Sequence, residues 1–175
     1  MLEKNKYLYI FRHIQTNQVL LSQGNVLKKT ALFQLPYPLQ KPVAPNGMRP
    51  AKLRKDHWVP LLKVEFPNES MFQSVFMQLL NYRKYRSVQP LTSDLLKLPI
   101  PVRRRKIMRQ EVPNTIADLA DILNKEKFPE NSVRLQLSDK SDSEYADWPP
   151  SVQIDSEEIK LSRGFREKTT VDEAR

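Results

Sequence analysis

Apolar positions fall into a few short patterned runs separated by proline. Tyr7 to Ile14 (YLYIFRHI) is aromatic and β-branched with few charges, which predicts a strand. Gln15-Thr16-Asn17 is a polar turn and Gln18 to Ser22 (QVLLS) a second strand, so the two read as a β-hairpin. Asn25 stands where it can cap a short helix through Val26, Leu27, Leu32 and Phe33. In Leu61 to Phe66 (LLKVEF), Leu62, Val64 and Phe66 alternate with Leu61, Lys63 and Glu65, the pattern of a half-buried strand that Trp58 anchors in the core. Pro67 ends it and Asn68 caps the longest predicted helix, where Phe72, Val75, Phe76, Leu79 and Leu80 recur at helical spacing.

Beyond that helix the pattern weakens. Leu91 to Pro101 reads as a proline-bounded link, and Pro101 to Gln110 fits either a helix or an extended segment. Thr115 and Asp118 have capping-box spacing before a short helix that buries Ile116, Leu119, Ala120 and Leu123. Val133, Leu135 and Leu137 alternate with Arg134, Gln136 and Ser138 as a further strand. These elements predict a small α+β fold, a mixed sheet with helices packed on it and no internal repeat. The expected organisation is a basic core over residues 1–140 with extended connectors at 36–57 and 90–112. An acidic C-terminal extension over 141–175 would follow, its last residues a loose tail.

Charge sharpens this picture. The 175 residues carry 29 Lys and Arg against 20 Asp and Glu, a net charge of +9 and a pI near 9.8. The excess lies early: Met1 to Val112 holds 20 basic and 6 acidic residues, and the remainder is net acidic. A basic balance of this kind points to a polyanion. Cysteine is absent, which excludes disulfides, thiolate metal sites and cysteine nucleophiles. The three glycines are too far apart to cradle a nucleotide phosphate. No apolar run reaches the ~20 residues needed to span a bilayer. The N-terminus, MLEKNKYLYIF, lacks the pattern of a signal or transit peptide and runs directly into a strand.

The basic residues form three clusters within about sixty residues. Arg49, Lys52, Arg54 and Lys55 lie in MRPAKLRKDHW, which follows the proline-rich stretch PYPLQKPVAPNGMRP. Arg83, Lys84 and Arg86 close the long helix beside Tyr82 and Tyr85. Arg103, Arg104, Arg105, Lys106 and Arg109 fill PVRRRKIMRQ. A single cluster reads equally as a solvated face, and RRRK also as a nuclear localisation signal. Three with few acids between them favour nucleic acid, since each group can neutralise phosphates and release counterions. Catalysis finds no support: His13 and His57 lack a second His or Cys at ligand spacing, and Asp56-His57 are neighbours unsuited to triad geometry. Asp56 is expected to orient the local Arg and Lys side chains. The carboxylates from Asp139 to Asp147 and in the tail read as solubilising charges, not a catalytic pair.

Four stretches carry a family resemblance: YIFRHIQTNQVLLSQ (9–23), MRPAKLRKDHWVPLLKVEFP (48–67), VPNTIADLADIL (112–123) and EYADWPPSV (144–152). In order and spacing they resemble the fungal mitochondrial large-ribosomal-subunit protein family, also described as mitochondrial homologous recombination proteins and transcription coregulators. The most specific parts are Arg54, Lys55, Asp56 and Trp58, with the hairpin segment Gln18-Val19-Leu20. The resemblance implies a non-enzymatic, cofactor-free mitochondrial protein seated on large-subunit ribosomal RNA among neighbouring ribosomal proteins. It also implies a second role in ATP-independent pairing of mitochondrial DNA, and import through an uncleaved or internal basic signal. The three basic clusters would then meet the RNA backbone, with the connector 36–57 and the segment 97–112 running along it.

Overall fold

The structure is a computed structural model that describes residues 6–35, 55–157, 159, 161–162 and 166–167. Its centre is a five-stranded sheet in the order β2-β1-β3-β4-β5. β1 (Tyr7–His13), β2 (Val19–Ser22), β3 (Trp58–Glu65) and β4 (Val133–Leu137) pair antiparallel, and β5 (Val152–Ile154) adds in parallel to β4. Between β3 and β4 run α1 (Glu69–Val88), α2 (Ser93–Leu96), α3 (Ile100–Arg109) and α4 (Glu111–Glu126). A separate two-stranded ribbon joins β6 (Leu161–Ser162) to β7 (Arg166–Glu167). The arrangement is α+β, as the patterning predicts.

Strand alternation sorts the side chains onto two faces. Leu8, Ile10, Val19, Leu21, Leu62, Val64, Val133, Leu135 and Leu137 form one core cluster with Phe72, Val75, Phe76 and Leu79 of α1 and Val112, Ile116, Leu119 and Leu123 of α4. Each such side chain contributes about 1.5–3 kcal/mol on burial, so this layer dominates the fold. On the opposite face Tyr9, Phe11, Leu20 and Trp58 are covered by Leu27 and Leu32 from the residues after β2. Asn68 caps α1 as its sequence position predicts, its Oδ1 accepting the Met71 N–H at 2.9 Å.

Several expectations are corrected. Asn25 is not a helix cap: the helical turn here is a 3-10 turn over Lys29–Gln34, with Lys28 at its start. The alternation expected over residues 61–66 breaks at a bulge, since Ile10 faces Leu62 while Phe11 faces Pro60. Leu61 is the extra residue and joins Leu62 in the same core, and Pro60, with no N–H to offer, sits at the irregularity. The link 91–101 and the connector 90–112 hold α2 and α3 instead of extended chain. Thr115 and Asp118 do not start a helix: α4 begins at Glu111, directly after α3, and both residues are buried in it. Pro113 fits that start because the first turn of a helix has no partner for an N–H. Beyond Lys140 the chain turns through a 3-10 segment (Lys140–Tyr145) and returns as β5. Asp142 there is buried, not solubilising, and burial pushes its carboxyl above the usual range against the nearby Arg12.

The two histidines, unrelated in the sequence, meet beside the hairpin turn. His13 and His57 rings stand edge-on at 5.3 Å, and Trp58 contacts His13 at 5.0 Å. Asn17 turns the chain at φ 61°, a left-handed conformation that Asn tolerates. His13 Nδ1 accepts the N–H groups of Gln15 and Thr16, both at 3.2 Å, so this nitrogen must be unprotonated. Burial, followed by the His57 charge, holds His13 below its ordinary value of 6.5. A lowered value means that the unfolded chain takes up the proton first, so the stabilisation is complete above 6.5 and is lost as pH falls. The melting temperature is expected to drop as pH falls below about 6.5, before the range where carboxylates titrate is reached. His13→Asn keeps an acceptor at the turn, and thermal melts of that variant should show a flatter dependence over the same window.

Candidate nucleic-acid interface

The structure separates the basic residues by what surrounds them. Arg49, Lys52 and Arg54 lie outside the described residues, as does the side chain of Lys55, whose backbone opens a 3-10 turn before β3. Of the connector 36–57, residues 36–54 lie outside them. The clusters at the end of α1 and in α3 are described in full.

At the end of α1, two of three cations are held by acids of α4. Arg83 is largely buried and lies 3.7 Å from Glu111. Burial lowers the Arg83 guanidinium and raises the Glu111 carboxyl from their ordinary values, only partly offset by their mutual attraction. Glu111 Oε2 also accepts the Val19 N–H of β2 at 2.9 Å. Gln34 completes the arrangement: its amide donates to Leu21 O and accepts the Leu21 N–H, both at 2.9 Å, while Arg83 donates to the same Oε1 at 3.4 Å. The free edge of β2 is therefore closed by side chains. Arg86 forks onto Asp118 with Nε at 2.9 Å and Nη2 on the second oxygen, and that hydrogen bonding raises the guanidinium above its ordinary value. Lys84 alone of this cluster is exposed with no partner among the described residues.

In α3 the five cations also divide. Arg103 turns back to donate to the carbonyls of Leu95, Leu96 and Leu98 at 3.0, 3.1 and 3.1 Å. It ties down the end of α2 and the link after it, joining the Leu98 N–H on Leu95 O and supplying donors for Leu96 O and Leu98 O. Arg104, Arg105, Lys106 and Arg109 are exposed. Arg105 and Arg109 are one turn apart, with Lys106 beside them on the same side of the helix. None of these three has a partner among the described residues. Like charges at this spacing destabilise an isolated helix by about 0.2–0.5 kcal/mol per pair. The last-turn position of Lys106 and Arg109 against the helix dipole offsets part of that.

Lys84 and α3 border one space. A cavity of about 420 Å³ lies between the end of α1, the start of α4 and the 3-10 turn, lined by cations such as Arg83, Lys84 and Arg86 together with apolar Phe33, Leu91 and Ile107. Phe33, part of its lining, is 65% exposed. The candidate surface is the ridge of Arg105, Lys106 and Arg109 on α3, near a partly apolar recess.

Further cations went unremarked in the sequence because each stands alone there. Lys6, Lys63 and Arg134 approach one another around Glu65 on the sheet face away from α1 and α4. The shared parity of Tyr7, Tyr9, Lys63 and Arg134 within their strands was the available signal. Among the described residues there is no group of three His, Cys, Asp or Glu that could hold a metal, and no helix long and apolar enough to cross a membrane.

The buried pair makes a direct prediction. Glu111→Ala strands Arg83 without a counter-charge and leaves the Val19 N–H unpaired, a change expected to cost about 3–5 kcal/mol in chemical denaturation. Glu111→Gln keeps an acceptor for Val19 and should cost clearly less.

Comparison with known proteins follows this geometry. Residues 5–92 match the family model Mhr1, described as transcriptional regulation of mitochondrial recombination. The match covers half of the chain, from β1 through α1, and stops short of α3. A curated relative, "Large ribosomal subunit protein mL67" of Neurospora crassa, is 25% identical over 123 residues, covering 66% of this chain. The match spans only 40% of that relative's own length.

Proposed function

The chain belongs to the Mhr1 family and is a mitochondrial protein, and from that membership we propose that it is a structural constituent of the mitochondrial large ribosomal subunit. It binds ribosomal RNA through phosphate contacts, and its role is positional, with no catalytic step. The observation that carries this reading is the α3 ridge, where Arg105, Lys106 and Arg109 are exposed without counter-charges among the described residues. Arginine forks match phosphate oxygens, and contacts of this kind hold a protein on the backbone without reading sequence. The recess near the ridge, with exposed Phe33 in its lining, is where a neighbouring ribosomal protein packs. Arg83, Arg86 and Arg103 support the ridge from within: they hold α3 and the end of α1 in place, and Lys84 joins the contacts to RNA. The name of the Neurospora relative supports the subunit assignment.

The description of the family favours a second reading, a mitochondrial DNA-binding mediator of homologous pairing and transcription that acts off the ribosome. Both readings require salt-sensitive binding, so affinity for naked nucleic acid does not separate them. Sedimentation of mitochondrial lysate through sucrose at high salt with Mg²⁺ does. Co-migration of the wild-type chain with the large subunit supports the first reading, and its release to the top or migration with nucleoids supports the second.

The ridge itself is tested with Arg105→Glu, Lys106→Glu and Arg109→Glu combined. That variant is expected to stay folded, melting slightly below the wild type because acids now face the negative end of the α3 dipole, yet to fall off the large-subunit peak. Its slope of log affinity against log salt on an RNA duplex should shrink by about 2–3, one counterion for each lost phosphate contact. Unchanged incorporation and slope would remove α3 from the interface.

A further inference from the structure

The recess between α1, α4 and the 3-10 turn holds polar groups that the fold leaves unspent. Four of its lining residues, Glu111, Asn114, Thr115 and Asp118, share one face of α4 at the spacing of helix neighbours. The two acids are engaged, Glu111 with Arg83 and the Val19 N–H, Asp118 with Arg86. Asn114 and Thr115 lie between them. Thr115 is only 6% exposed, yet its hydroxyl has no hydrogen-bond partner among the described residues. The side-chain amide of half-buried Asn114 has none there either. Buried polar groups are ordinarily satisfied, so this pair calls for something that completes it. Water completes such groups but gains nothing from the apolar wall of Leu80, Leu91, Ile107 and exposed Phe33.

A second amide in the same lining shows what such a group does. Gln34 pairs with Leu21 as a strand does, donating to its carbonyl and accepting its N–H, both at 2.9 Å. Asn114 carries the same donor and acceptor. The volume of about 420 Å³ lies in the range of small-molecule sites and takes one large side chain with the backbone beside it. Charge narrows the choice. Arg83 and Arg86 are already met by carboxylates, and of the cations in the lining only Lys84 is unpaired among the described residues. The interior therefore suits an uncharged occupant and leaves Lys84 to the RNA.

We propose that this recess binds an extended, uncharged peptide segment of a neighbouring protein. A large apolar side chain of that segment packs against Leu91 and Ile107, and its backbone pairs with the Asn114 amide and the Thr115 hydroxyl. The proposal rests on the ribosomal reading above and names the chemistry of the partner that packs in the recess. A nucleobase also pairs with an amide, but its phosphate would enter among guanidiniums that carboxylates already hold. A second copy of the chain would bring a net charge of +9 against +9.

The test uses the full chain, isotope-labelled for NMR, and N-acetyl-leucine methylamide, one apolar residue with a peptide unit on either side. Signals of Leu91, Ile107, Asn114 and Thr115 should shift together and saturate, with a dissociation constant on the order of millimolar for a probe of this size. The analogue methylated on the leucine nitrogen lacks the N–H that Asn114 Oδ1 accepts and should bind about fivefold more weakly. Asn114→Ala favours the helix, so the chain stays folded; it should weaken the leucine probe about tenfold and leave duplex RNA binding unchanged. Equal binding of the methylated analogue, or undiminished binding of the leucine probe to Asn114→Ala, would overturn the backbone pairing. No shift in the recess, with duplex RNA still bound, would overturn the site and leave the ribosomal reading standing. Recess shifts without any RNA binding would keep the site and overturn the RNA contacts of that reading. Tighter binding of adenosine monophosphate in the recess would overturn the choice of a peptide. A dimer of the free chain that Asn114→Ala abolishes would overturn the choice of a different protein.

Discussion

One buried ion pair joins the parts of this fold that neighbour each other least in sequence. Arg83 comes from α1, Glu111 from the first turn of α4, and the Val19 N–H that Glu111 accepts from the edge strand β2. Gln34, from the turn after β2, shares Arg83 and pairs with Leu21 as a strand would. Desolvation works against both charges, so the pair is no source of net stability by itself. Its consequence is positional. It makes the start of α4 a fixed point against the sheet, and α3 enters α4 through Gln110 with a single residue between the helices. The orientation of the basic ridge on α3 therefore depends on a contact made on the far side of that joint.

Further polar contacts continue this registration along α1 and α4. Arg86 meets Asp118, Tyr82 meets Asp121 and Lys125, and Ser74 and Gln78 meet Glu126. The hydrophobic layer beneath, from Phe72 to Leu79 and from Val112 to Leu123, supplies the driving force but tolerates sliding. Directional hydrogen bonds across the seam fix one register. Charges that a composition count assigns to the surface thus divide between holding the protein together and facing outward.

That division explains what was legible in the sequence. The hairpin, β3, α1 and β4 follow from apolar period, and Asn68 from capping chemistry, because these depend on neighbours a few residues away. The Leu61 bulge was hidden, since it arises from pairing with β1 and leaves no local mark beyond Pro60. The start of α4 was placed five residues late because Thr115 and Asp118 mimic a cap, while the true start needs none: α3 leads straight into it. In the basic clusters the count of charges was visible and their partners were not. Arg83 finds Glu111 across 28 positions and Arg86 finds Asp118 across 32, distances at which one sequence carries no pairing signal. Arg103 was hidden differently, because its acceptors are backbone carbonyls.

The cations without partners on α3 have a thermodynamic meaning of their own. Arg105, Lys106 and Arg109 repel one another; the helix dipole offsets part of this, and no acidic side chain among the described residues pairs with them. The free chain carries that repulsion, so any polyanion that meets the ridge gains both its own attraction and the relief of the helix. By linkage the same gain appears as stability of the folded chain, growing with the logarithm of ligand concentration over its dissociation constant. A surface built this way is less stable alone than bound. Arg83 and Arg86 follow the opposite logic, neutralised within the fold so that the ridge keeps its geometry before its partner arrives. The interior pairs set where the charges stand, and the unpaired charges set what can stand against them.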